Sequence, residues 1–106
     1  MTVVDLGPAD LVDGALRTAA AGGLDLVVAR SGGRHVAFEQ WCPHAECPLG
    51  DGWLEGDAIR CACHGALFAL EDGAVLDGPA PEPIVVFAVR ATADGRLEAE
   101  IPTVGP

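Results

Sequence analysis

All four cysteines and two of the three histidines of this 106-residue chain fall within residues 41–68, WCPHAECPLGDGWLEGDAIRCACHGALF. Cys42-Pro43-His44 is a C-x-H box, and Cys61-Ala62-Cys63-His64 is a C-x-x-H box. Each box offers one thiolate and one imidazole at a spacing that lets both point at one metal centre. Three assignments stand open on the residues alone. A [2Fe–2S] cluster takes two Cys on one iron and two His on the other. A mononuclear zinc site accepts the same four ligands. A disulfide-stapled pair of loops would leave the histidines incidental. Zinc fingers usually pair like with like, Cys with Cys and then His with His, whereas each box here mixes the two. A cluster needs each box to reach both irons, and a Cys with a nearby His does that.

The boxes resemble those of Rieske iron–sulfur proteins. The similarity continues in Pro48-Leu49, in His64-Gly65 and in Gly78-Pro79-Ala80-Pro81, and is expected to span the whole chain. The resemblance implies one [2Fe–2S] cluster. Cys42 and Cys61 would hold its inner iron, and His44 and His64 its outer, solvent-facing iron. Cys47 and Cys63 remain. Rieske proteins of respiratory and photosynthetic cytochrome complexes carry cysteines at matching places and join them in a disulfide, while small Rieske ferredoxins of dioxygenase systems usually lack the pair. The resemblance therefore implies a Cys47–Cys63 bond. The other reading is two buried free thiols, which pack as small hydrophobes.

The elements that must position the boxes read as strands. Gly-rich turns recur at short intervals, the mark of an all-β domain. Strands are expected over residues 2–6, 15–21, 24–30, 34–39, 53–54, 58–61, 66–70, 84–91 and 96–101. A single helical turn is expected over 8–12, with Pro8 near its start. Ser31-Gly32-Gly33 and Asp94-Gly95 read as hairpin turns. Residues 77–83, with three prolines, read as a stiff extended segment, and the resemblance implies that it covers one side of the cluster. We expect one domain, residues 1–106, built as a Rieske-like antiparallel β-sandwich with a cluster-binding lobe inserted at about 41–68. His35, next to Arg34 on a strand, is expected to face solvent. Trp41 and Trp53, which flank the lobe, are expected to pack, because Trp is large and mostly buried.

Composition bounds the partners. Sixteen acids face six arginines, there is no lysine, and the formal net charge is −10. Nucleic acid and anionic membranes are poor partners for such a surface; a redox protein with a basic docking patch is a good one. The longest apolar runs are far too short to cross a bilayer. The start, MTVVDLGPAD, has neither a basic n-region nor a long apolar h-region, so neither a signal peptide nor a membrane anchor is expected, and the location expected is cytoplasmic.

No nucleophile, catalytic base or mononuclear iron motif stands out, so the chemistry expected is one-electron transfer. The resemblance implies a Rieske-type ferredoxin carrying electrons from a flavin-dependent reductase to a terminal oxygenase. It also allows the small Rieske subunit of a larger oxidoreductase, such as a nitrite reductase or an arsenite-oxidase-like enzyme. A zinc-stabilised interaction module is the reading from a different class. High-potential Rieske proteins carry Ser after His-Gly and Tyr two residues later, hydrogen-bond donors to the cluster. This chain has Ala66 and Phe68 there, no Tyr anywhere, and a lone Ser at position 31. A reduction potential in the lower part of the Rieske range is therefore expected.

Overall fold

The computed structural model of the chain describes residues 2–41, 47–63, 65–78 and 82–101. Alternation of apolar and polar residues sets the strands. In Arg96–Ile101, for example, Leu97, Ala99 and Ile101 are buried while Arg96 and Glu100 are exposed. In chain order the strands are β1 (Thr2–Pro8), β2 (Leu16–Ala21), β3 (Leu24–Ser31), β4 (Arg34–Glu39), β5 (Trp53–Leu54), β6 (Ala58–Arg60), β7 (Leu67–Ala69), β8 (Val75–Asp77), β9 (Val86–Ala91) and β10 (Arg96–Ile101). A 3-10 turn spans Leu49–Asp51. The fold is all-β, and every strand pairing among the described residues is antiparallel.

Two sheets result, a six-stranded one in the order β1-β10-β9-β4-β3-β2 and a four-stranded one in the order β5-β6-β7-β8. β9 bends the large sheet. Its first half, Val86 to Ala88, pairs with β4, and its second half, Val89 to Ala91, pairs with β10. The sheet thus folds over, its end strands β1 and β2 come into contact, and Leu6, Leu26, Val28, Phe87, Leu97 and Ile101 fill the space between. The β2–β3 and β3–β4 links are two-residue turns, Gly22-Gly23 and Gly32-Gly33. All four glycines have positive φ, the geometry that matches the twist of a tight hairpin.

β3 and β4 form the wall between two cores. Leu26, Val28 and Ala37 face the folded-over large sheet. Val27, Ala29, Val36 and Phe38 face the small sheet, where they meet Leu49, Ile59, Phe68, Leu70 and Ile84. That double burial makes residues 26–29 a continuous apolar run rather than an alternating one. At the far end of the wall, the Ser31 hydroxyl donates to the Gly56 carbonyl at 3.2 Å, pinning the β3–β4 hairpin to the β5–β6 turn.

The expected helical turn over 8–12 is absent. β1 runs on through Pro8, which pairs with Arg96 after a register shift between Asp5 and Gly7. Pro8 lies on a strand with only one sheet partner, where a missing N–H costs little. Arginine side chains from β2 and β3 take the carbonyls that a helical turn would have used: Arg17 Nη2 donates to Pro8 O at 2.9 Å, and Arg30 Nη1 to Leu11 O at 2.8 Å. β8 was not expected as a strand. It carries the small sheet on to Asp77, beyond the lobe boundary drawn near residue 68.

Candidate metal centre

The second box hangs between β6 and β7. Its backbone closes on itself: Cys61 N–H donates to Ala66 O at 2.7 Å, and Gly65 N–H to Cys61 O at 3.1 Å. The Cys61 thiol is free and wholly buried within the apolar core between the two sheets. Gly78 presses on this turn from outside. A Cβ there would stand 2.7 Å from Ala66 Cα, so only glycine lets the segment after β8 lie so close.

The first box is framed from both sides. Trp41 pairs with Pro48 in an isolated antiparallel bridge, and Leu49 N–H donates to Gln40 O at 2.6 Å. Cys47 and Cys63 are joined by a disulfide with their Cα atoms 6.3 Å apart, which ties the first loop to the second. The sulfurs of Cys47, Cys61 and Cys63 all lie within 4.8 Å of one another. Of the four expected ligands, Cys61 is described; Cys42, His44 and His64 lie outside the described residues, as do Pro79, Ala80 and Pro81 of the segment expected to cover the cluster.

One group that matters here escaped the sequence reading. Arg60, immediately before Cys61, donates through Nε and Nη2 to both oxygens of Glu55, at 2.9 and 2.8 Å. Its Nη1 reaches Gly65 O at 2.7 Å and Asp77 Oδ2 at 3.3 Å. One guanidinium thus binds the β5–β6 turn, the second box and the end of β8. Trp53 Nε1–H donates to the same Glu55 carboxylate at 2.8 Å. These bonds, Arg60's first, hold the Glu55 carboxyl down at about 2. The available signal was that Arg60 is the only basic residue between the two boxes.

Two expectations need correction. Trp41 and Trp53 are 49% and 51% exposed, not packed away: Trp53 lies on the two-residue edge strand of the small sheet, and Trp41 on an isolated bridge to Pro48. His35 does not simply face solvent. It sits opposite Arg30 on β3, half-buried, with its Nε2 enclosed and unpartnered.

Residues 2–91 match the family model for the Rieske [2Fe–2S] domain. This chain belongs to the Rieske family. It is 32% identical over 88 residues to the ferredoxin component of biphenyl 2,3-dioxygenase from Rhodococcus jostii, covering 83% of this chain and 82% of that one. Its fold matches a chain in the solved complex of reduced oxygenase and oxidized ferredoxin in carbazole 1,9a-dioxygenase, with a TM-score of 0.85 and 28% identity over 98% of this chain and 97% of that one. It also matches the ferredoxin of carbazole 1,9a-dioxygenase from Nocardioides aromaticivorans, with a TM-score of 0.87 and 24% identity over 96% and 100% of the two chains. Electron transfer, rather than catalysis on a bound substrate, is the role shared with these Rieske ferredoxin components.

Membership of the Rieske family implies a [2Fe–2S] cluster, and the described donors suit one. The disulfide removes two of the three described thiols, leaving Cys61 as the described sulfur free to bind metal. It is walled by apolar side chains, which would keep water from an iron bound to that sulfur. The flanks of the first box, Trp41 and Cys47, are fixed beside the same turn.

Proposed function

We propose that this chain carries one Rieske [2Fe–2S] cluster held by Cys42, His44, Cys61 and His64. Its work is to pass single electrons from a flavin-dependent reductase to the terminal oxygenase of a multicomponent dioxygenase. The observation that carries this reading is the free, buried Cys61 thiol in a chain whose curated relative is a dioxygenase ferredoxin component. When bound, the cluster supplies a reversible one-electron couple whose potential is raised by its neutral imidazole ligands.

The protein's part is positioning. The backbone bonds within the Cys61–Ala66 turn, the Arg60 fork and the disulfide hold the second box and tie it to the first. Burial of Cys61 excludes water from the thiolate side. The acidic surface suits a partner with a basic docking patch, and the oxygenase–ferredoxin complex of the carbazole system shows that a relative of this fold docks directly on its oxygenase.

The test is stepwise transfer with a flavin-dependent reductase and the terminal oxygenase of a multicomponent dioxygenase. NADH and the reductase should bleach the visible absorbance of the chain in a one-electron step. Adding the oxygenase should restore it, and single substitutions at the four ligands should abolish the signal. Reduced chain that the oxygenase component cannot reoxidise would contradict the proposed direction of flow.

A further inference from the structure

Cys47 and Cys63 are not needed to hold the cluster, yet both lie beside a cysteine that is. We propose that Cys47, Cys61 and Cys63 form a three-sulfur site for a soft d¹⁰ cation such as zinc or cadmium, open only when the Cys47–Cys63 bond is reduced. The disulfide then acts as a guard that keeps the Cys61 thiol available to the cluster.

The geometry supports this directly. All three sulfurs lie within 4.8 Å of one another. Tetrahedral zinc with Zn–S bonds of about 2.3 Å places its sulfurs about 3.8 Å apart, so the free sulfur closes by roughly 1 Å or less. The two bonded sulfurs separate once their bond is cut. That bond is not the only tie on these loops. The Cys61–Ala66 turn is closed by its own backbone and caught by Arg60, and the Cys47 flank is held by the Trp41–Pro48 bridge and the Leu49–Gln40 hydrogen bond. Reduction therefore leaves three thiols already gathered. Thiolates select soft cations, and a net charge of −10 raises the local concentration of any cation.

The reductant is a dithiol. It delivers two electrons and two protons to the S–S bond and becomes a cyclic disulfide, and Cys47 and Cys63 become thiols. Cys63 is exposed, so the dithiol can attack there, while Cys47 and Cys61 are buried. Metal binding then forms three S–metal bonds, releases three protons and leaves the fourth position to water. A cation held by the two freed thiolates would otherwise compete with the cluster for Cys61, and oxidation removes both of those thiolates together.

The experiment uses the full chain purified without iron, with the bond intact or cut by a phosphine reductant, titrated with Cd²⁺. Sulfur-to-cadmium charge-transfer absorbance should show one Cd²⁺ per reduced chain and none in the oxidised chain. Mass-spectrometric mapping should find Cys47, Cys61 and Cys63 protected from alkylation together. Cys63→Ser should weaken binding by at least the roughly 10- to 100-fold lost when even outer partners of a metal site are removed. In cluster-loaded chain treated with a dithiol, added Cd²⁺ should speed cluster loss, and should not do so when Cys47 and Cys63 are both serine. Cadmium binding by the iron-free reduced chain without any effect on the loaded cluster would overturn the guarding role of the disulfide. Equal binding with the bond intact, protection of Cys42 in place of Cys47 and Cys63, or no binding to the reduced chain would overturn the proposal.

Discussion

Ala66 and Phe68 are both fully buried beside the second box, and neither side chain can donate a hydrogen bond. Hydroxyls at these places would stabilise the electron-rich reduced state, so their absence lowers the potential. Rieske potentials run from about −150 to +300 mV, and this chain should fall in the lower part of that range. Protein-film voltammetry on wild type and on Ala66→Ser with Phe68→Tyr should show an upward shift in the double variant; no shift would remove the explanation. His35 couples folding to pH. Burial, reinforced by the charges of Arg30 and Arg17, holds its imidazole below the ordinary 6.5, while Asp13 and Asp10 pull the other way. The unfolded chain takes up a proton near that pH which the folded chain resists. The contribution is therefore complete above about pH 6.5 and is lost as pH falls below it. Urea midpoints at about pH 7.5 and pH 5 should fall less in His35→Phe than in wild type. An equal fall would contradict this. The clustered Cys and His types were legible because few other functions need them at that spacing. The burial of His35 and the exposure of the two tryptophans were not, because both depend on what packs across the sheet rather than on the strand's own sequence.

At the scale of elements, β4 carries much of the structural load. Phe38 is fully buried on the lobe-facing side, opposite Val27 on β3 and next to Val86 on β9. Phe38→Ala should cost about 3–5 kcal/mol in urea unfolding. Because the same core surrounds Cys61, the variant should also lose its cluster faster on warming. A cost under about 1 kcal/mol would mean that the wall between the two cores is not where stability resides. Strands with strong alternation or paired-glycine turns, such as β3, β4 and β10, were readable almost to the residue. β8 was not, because Val75–Asp77 is only three residues long, and two of them, Leu76 and Asp77, are exposed. The segment at 8–12 misled because proline marks a helix start and a strand edge equally well, and the arginines that decide it lie distant in sequence.

At the scale of the whole molecule, charge is the dominant feature. The described arginines Arg30, Arg60, Arg90 and Arg96 each pair with a carboxylate, which leaves the acidic excess to face outward. Encounter with a basic partner should therefore be steered electrostatically. The second-order rate of reduction by the reductase component should fall as ionic strength rises and the Debye length shortens to about 10 Å at 0.1 M salt. A rate indifferent to salt would mean that docking rests on apolar contact alone, with Trp41 and Trp53 as the exposed candidates. The fold and the family could be read from one sequence because strand patterns, turns and the two Cys-His boxes are local patterns. The identity of a partner could not, because it is written in a surface that only the partner completes.

Metal and sulfide analysis of the purified protein decides whether the chain holds the cluster. Red-brown protein holding two irons and two acid-labile sulfides per chain, lost on substitution of Cys42, His44, Cys61 or His64, is the result expected. Colourless protein holding one zinc and no sulfide would contradict it.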